Sequence, residues 1–173
     1  MKNLPNEVIL MFRKVLFPTD FSEGAEEAAK RFERVNEMPV GGEVILLHVI
    51  DEGAIEDLMN GYSLLYENEE LELKEVEEKL KMKAMERLQS KVEDVKRIFK
   101  TEKVKPVVRF GIPWEEIVRV AEEEDVSLIL LPTHGKLGFS KELLGSTAMR
   151  VVKKTLRPVL LLKPKCKLGG EEE

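Results

Sequence analysis

The chain has one cysteine, one tryptophan and a single glutamine in 173 residues. Cys166 has no partner for an internal disulfide, which fits a reducing, cytoplasmic setting. Positive charge is in deficit, with 28 Lys and Arg against 33 Asp and Glu and a net charge of -5. Nucleic acid is therefore excluded as the main partner, because phosphate neutralisation needs a basic surface. No apolar run reaches the roughly 18 residues of a membrane span. The opening segment MKNLPNEVILMFRK is too interrupted by polar residues to read as a signal peptide. Chemical signatures are also missing. There is no GxxxxGK[ST], no GxGxxG after a strand and no GxSxG elbow. No residue presents itself as a general base for in-line attack by water and no arginine finger can be assigned. The expectation is a binding protein, with a weak ATPase as the most enzymatic alternative.

What is present is charge and short apolar runs. Charged residues make up 35 % of the chain, above the usual quarter. Together with the scarcity of glutamine this points to a heat-adapted source. Apolar residues make up 43 %, enough for one core, and the length fits one domain. Five runs read as strands: 14–17, 43–49, 103–110, 126–132 and 157–163. Three are nearly continuous in Val, Ile and Leu, the pattern of parallel strands covered on both faces.

Helical patterns lie between them. Residues 22–35 begin with a Ser22 N-cap signal. Over 69–100, Leu73, Val76, Leu80, Ala84, Leu88, Val92, Val95 and Phe99 draw one apolar stripe. Glu70/Lys74, Glu75/Lys79, Glu77/Lys81 and Glu93/Arg97 supply i,i+4 pairs on its wet side. Residues 113–124 open on Pro113, and 140–155 are helical at least after Gly145. Residues 51–68 show no clear period and read as a flap, a dimer contact or a packed loop. The predicted order is β-α-β-α-β-α-β-α-β, a doubly wound parallel sheet. Residues 1–12 read as an added arm, 13–164 as the domain and 165–173 as a flexible tail.

In such a sheet ligands bind beyond the carboxyl ends of the strands, where strand order reverses. The first strand leaves through Pro18-Thr19-Asp20-Phe21-Ser22. Asp20 is either a hydrogen-bond acceptor for an amine or ribose hydroxyls, or a turn residue assisting the next helix. The fourth strand leaves through Pro132-Thr133-His134-Gly135, and Gly145-Ser146-Thr147 opens the last helix. Glycines admit close approach, and a helix start offers free N–H groups and hydroxyls, which makes a phosphate cradle without a Walker lysine. A flexible loop with an ordinary cap is the bland alternative. His48 lies inside an apolar strand and reads as a packed, hydrogen-bonded core histidine. His134 lies in the cradle. No metal-ligand set accompanies either histidine.

FPTDFS at 17–22, VILLHVID at 44–51, GIPWEEIVRVAEEEDVSLILL at 111–131, THGKLGFSKELLGST at 133–147 and RPVLLLK at 157–163 together resemble the universal stress protein family. The resemblance runs from residue 13 to 164 and is nearest to the ATP-binding archaeal members. It implies a five-stranded parallel sheet of order 3-2-1-4-5, as in adenine nucleotide alpha hydrolase-like folds. It also implies an adenosine pocket at Pro18, Thr19 and Asp20, with Val49 offering backbone polar groups to the adenine edge. Pro132, Gly135, Gly145, Ser146 and Thr147 would surround the ribose and phosphates. Mg2+ or Mn2+ would ride on the phosphates rather than in a protein cage. The last strand, 157–163, would pair antiparallel with its copy in a homodimer, hiding an otherwise exposed apolar edge. The chain departs from the family at one point. Pro132 stands where the Gly-x2-Gly-x9-Gly-Ser/Thr motif has its first glycine. A proline offers no N–H, and a lost charge-assisted bond is worth roughly 1.5–3 kcal/mol, or about 10- to 100-fold in affinity. A dimeric interaction module without nucleotide is the alternative this proline supports.

Overall fold

A computed structural model describes residues 13–35, 42–65, 73–133 and 144–163. The arm at 1–12, the tail at 165–173, His134, Gly135 and Cys166 lie outside the described residues. The elements run β1 (Lys14–Pro18), α1 (Glu23–Val35), β2 (Glu43–Asp51), α2 (Glu52–Leu65), α3 (Leu73–Phe99), β3 (Lys103–Gly111), α4 (Pro113–Glu123), β4 (Leu128–Pro132), α5 (Ser146–Lys154) and β5 (Val159–Leu162).

The sheet has the order β3-β2-β1-β4-β5, and every pairing is parallel. The fold class and strand order are those expected. Alternation along the strands explains how both faces are covered. Val15, Phe17, Val44, Leu46, Leu128 and Leu130 face one core with Ala28, Ala29 and Phe32 of α1 and Leu88, Val95 and Phe99 of α3. Leu16, Ile45, Leu47, Ile129 and Leu131 face the other with Ile117, Val120 and Ala121 of α4 and Ala148 and Val151 of α5. Strands buried on both sides must be apolar at every position, which is why these runs do not alternate. Pro106 sits in β3, which pairs only with β2, at an edge where its missing N–H is tolerated.

One expectation is corrected. Of the readings of 51–68, the packed loop is replaced over the described part by a helix, α2 at Glu52–Leu65, so the segment between β2 and β3 holds two helices. Its period is hidden because only Ile55 is buried among its described side chains, while Leu58 is 56 % exposed. The stripe on α3 is buried over its second half, at Ala84, Leu88, Val95 and Phe99, and Leu73 is exposed. Glu75 and Lys79 pair at 2.5 Å, as the i,i+4 spacing predicts. The Glu93/Arg97 pair gives way to one tertiary partner and to i,i+3 neighbours on α3. Arg97 reaches Glu33 on α1 at 3.2 Å and Asp94 at 3.1 Å, while Glu93 takes Lys96 at 2.8 Å.

Arg157 fixes the start of the β5 edge strand. Its guanidinium grips Glu122 at 2.8 Å and Asp125 at 2.6 Å and donates to the Val126 carbonyl at 3.2 Å. These carboxylates raise its pKa above the ordinary arginine value. Here a planar fork held by two acids anchors the chain more firmly than one surface pair.

Candidate functional site

The sheet places a reversal between β1 and β4. From β1 the chain turns toward β2, and from β4 toward β5 on the other side. The loops leaving their carboxyl ends therefore diverge and leave a crevice between them. In the β1–β4 pairing Leu16 stands opposite Ile129. Counted onward, that register brings Thr19 level with Pro132. Pro18 pairs with Leu47, which on the same count brings Asp20 level with Val49. Pro18, Thr19, Asp20, Val49 and Pro132 therefore occupy one end of three adjacent strands.

The β1 turn is built from local bonds. Thr19 N–H donates to the Leu47 carbonyl at 2.8 Å, holding the turn on β2. Thr19 Oγ1 accepts from Phe21 N–H at 3.1 Å, and Asp20 Oδ1 accepts from Ser22 N–H at 3.0 Å. Ser22 Oγ then caps α1 by accepting from Ala25 N–H at 3.2 Å. Asp20 thus does serve the turn, but through one oxygen. Its Oδ2 has no protein donor among the described residues, which leaves it able to accept.

Sequence reasoning missed the device that locks this turn. Phe21 has φ 59, a left-handed conformation uncommon for a non-glycine residue. Its ring lies 4.3 Å from the His48 ring and 4.1 Å from the Arg87 guanidinium of α3. His48 is half-buried, and its Nδ1 lies 2.8 Å from the Thr19 carbonyl, which can only accept, so Nδ1 carries the proton. His48 is therefore a packed, hydrogen-bonded histidine, as read from its strand. The spacing of Phe21, His48 and Arg87 in the chain gives no hint that they stack. Phe21→Ala is expected to destabilise the fold by about 2 kcal/mol through loss of the aromatic and cation–π contacts. Phe21→Gly is expected to melt higher than Phe21→Ala, because glycine accepts the left-handed conformation. Thermal denaturation of the two variants checks the order, and an alanine variant melting above the glycine one would contradict it.

The other wall is the start of α5. Gly145 is its N-cap, with φ -64 and ψ 157. Gly145 N–H donates to the Thr133 carbonyl at 2.7 Å, and a Cβ there would stand 3.1 Å from that oxygen. Thr133 is buried, and its own N–H donates to the Leu162 carbonyl at 2.9 Å. Residue 133 thus ties β4, β5 and α5 together. The N–H groups of Ser146, Thr147 and Ala148 have no acceptor within the helix. Ser146 is exposed, Thr147 half-buried, and Pro132 half-buried at the end of β4. Gly135 is not among the described residues, so the cradle is described from its α5 side.

A cavity of about 160 Å³ lies elsewhere, between α1 and α3. It reaches Thr19 and Phe21, but its floor is Phe17, Ala25, Ala29, Leu46, Val95 and Ile98, on the face opposite α5. On its rim Lys91 pairs with Glu26 at 2.5 Å and Arg97 with Asp94 at 3.1 Å. Small alanines on α1 and long paired side chains above them account for this groove.

These features define a doubly wound α/β protein whose candidate site is the crevice at its topological switch point. Comparison with known proteins makes the assignment specific. The profile of the Universal stress protein family matches residues 11–163, and the chain belongs to that family. It is 42 % identical over 163 residues to the universal stress protein MJ0577 of Methanocaldococcus jannaschii, covering 90 % of this chain and 98 % of that one. The solved structure of MJ0577 aligns with a TM-score of 0.67 at 39 % identity, covering 91 % of this chain and 100 % of the other. A crystal structure of the hypothetical protein PH0823 aligns with a TM-score of 0.76 at 57 % identity, covering 90 % and 99 %.

Proposed function

We propose that the crevice between the β1 turn and the start of α5 binds an adenine nucleotide, ATP or a close relative, and that the protein acts as a dimeric stress-response regulator. One observation carries this reading. A carboxylate, Asp20, with one oxygen that has no donor among the described residues, and a helix start whose N–H groups at Ser146–Ala148 have no acceptor within the helix flank the same switch point. Asp20 Oδ2 would accept from ribose hydroxyls, and the Val49 backbone would meet the adenine edge. Gly145, Ser146 and Thr147, with Gly135, would receive the phosphates. A Cβ at 145 would press on the Thr133 carbonyl, so glycine keeps the start of α5 close to the end of β4. Among the described residues no group of three or more His, Cys, Asp or Glu could hold a metal ion. A divalent ion such as Mg2+ or Mn2+ would accordingly be held by the phosphates. A universal stress protein solved in complex with cAMP is 16 % identical with a TM-score of 0.54, a likeness of fold. The ligand reading for this chain stands on the crevice.

β5 supports the dimer. Among the described residues it pairs only with β4; Leu160 on it is 43 % exposed, and Leu156 ahead of it is 94 % exposed. Such an edge is covered by pairing with a second copy through 157–163. No helix among the described residues is long and apolar enough to cross a membrane. The cytoplasm is the proposed location.

Thermal melts with ATP and magnesium test the proposal. A ligand well above its dissociation constant must raise the melting temperature, and no rise at millimolar ATP would contradict the reading. Pro132 favours the second reading, an interaction module without nucleotide, because the β4 end it occupies has no N–H to give. If nucleotide binds despite it, Pro132→Gly is expected to tighten ATP binding about tenfold. Calorimetric titration of this variant checks that. A wild-type protein that binds nothing, with binding gained in the variant, would establish the module reading instead.

A further inference from the structure

Trp114 is the only tryptophan of the chain and stands at the second position of α4, the turn that follows β3. Its ring packs on the core shared by α4 and α5, against which Val49 and Leu144 also pack. Its indole N–H is buried and has no hydrogen-bond acceptor among the described residues. Buried indole N–H groups ordinarily find a partner, and an orphaned donor costs free energy that a core phenylalanine would avoid. Arg150, one turn into α5 from Ser146, places its guanidinium 6.0 Å from the centre of the same ring. Arg150 is exposed and makes no ion pair among the described residues. An unfilled donor and an unpaired cation thus stand together beside the helix start that borders the crevice.

We infer that Trp114 and Arg150 are ligand-contact residues that extend the crevice toward the phosphate end of a bound nucleotide. The inference rests on the nucleotide reading above and deepens it. An acceptor brought to this place by a ligand would satisfy the indole N–H. Among the parts of a nucleotide, a phosphate oxygen is the acceptor that a guanidinium and a helix N-terminus also favour. Binding then discriminates by charge: a polyphosphate gains from Trp114 and Arg150, and an uncharged nucleoside does not.

Calorimetric titration of wild type, Trp114→Phe and Arg150→Gln with magnesium ATP and with adenosine tests this. Each variant is expected to weaken ATP binding about tenfold while leaving adenosine affinity unchanged. Ligand-free Trp114→Phe is expected to melt within ~2 °C of wild type, since the lost N–H had no partner. Because Trp114 is the sole tryptophan, wild-type fluorescence is expected to respond to ATP and not to adenosine. This readout and Arg150→Gln carry the test if Trp114→Phe folds poorly. ATP binding undiminished in both variants, or ATP and adenosine weakened equally, would overturn the inference while leaving the nucleotide reading intact. Failure of the wild type to bind either ligand would instead remove the nucleotide reading, and this inference with it.

Discussion

Gly42→Ala is expected to lower stability by about 3 kcal/mol, at the severe end of overpacking, and the melting temperature by roughly 10 °C. Gly42 leads into β2, where Glu43 N–H donates to the Arg13 carbonyl at 2.8 Å. A Cβ at 42 would stand 1.8 Å from that same Arg13 oxygen, which is backbone and cannot swing aside. Relief requires the entry of β2 to move away from β1. That strains the first rung of a pairing that runs from Lys14↔Glu43 to Pro18↔Leu47. The Thr101 hydroxyl also donates to the Gly42 carbonyl, so a shift disturbs the entry to β3 as well. The damage arises at the amino end of the strands, opposite the crevice. Calorimetry and nucleotide titration of the folded variant therefore separate the two effects: the melt falls, while affinity below it stays within about twofold of wild type. An alanine variant melting within a few degrees of wild type would contradict the packing described for this corner.

Asp20→Ala is expected to weaken ATP and adenosine alike by about 100-fold. The side chain keeps one oxygen on Ser22 N–H, and on the proposed reading the other receives the ribose. Two charge-assisted bonds from ribose hydroxyls, each at the lower end of roughly 1.5–3 kcal/mol, set that magnitude. Stability should fall far less, because the neighbouring Ser22 cap on α1 and the Phe21 stack survive the change. Asp20→Asn preserves the turn bond and removes the charge, so it should fall between wild type and alanine. Titration with adenosine is the discriminating measurement. The Trp114 and Arg150 variants spare adenosine, whereas Asp20→Ala loses it. Nucleoside affinity unchanged in Asp20→Ala would leave Asp20 a turn residue only.

The architecture was legible where burial is two-sided. β1, β2 and β4 carry apolar residues at consecutive positions because α1 and α3 cover one face and α4 and α5 the other. Short runs with helical patterns between them then leave few topologies. α2 was not legible, because a helix that buries only Ile55 among its described side chains writes no stripe into the sequence. Charge pairs were legible only where the helix is alone in solvent. Glu75–Lys79 formed as its spacing predicts, but Arg97 faces α1 and chose Glu33. Of the candidate site, Asp20 and Gly145 could be picked out from their place at a strand end and a helix start, where ligands of such sheets bind. The Phe21–His48–Arg87 stack and the Trp114–Arg150 pair join elements far apart in the chain, so no local pattern records them. A lone tryptophan beside a helix-opening proline was the available signal for Trp114.

Amide chemical-shift mapping during titration with magnesium ATP locates the ligand on the molecule. Thr19–Ser22, Val49 and Ser146–Ala148 should shift together and saturate with one dissociation constant. Silence at those amides under millimolar ATP, or a response confined to the α1–α3 groove around Ala25, Ala29 and Val95, would contradict a nucleotide site at the β1–β4 reversal.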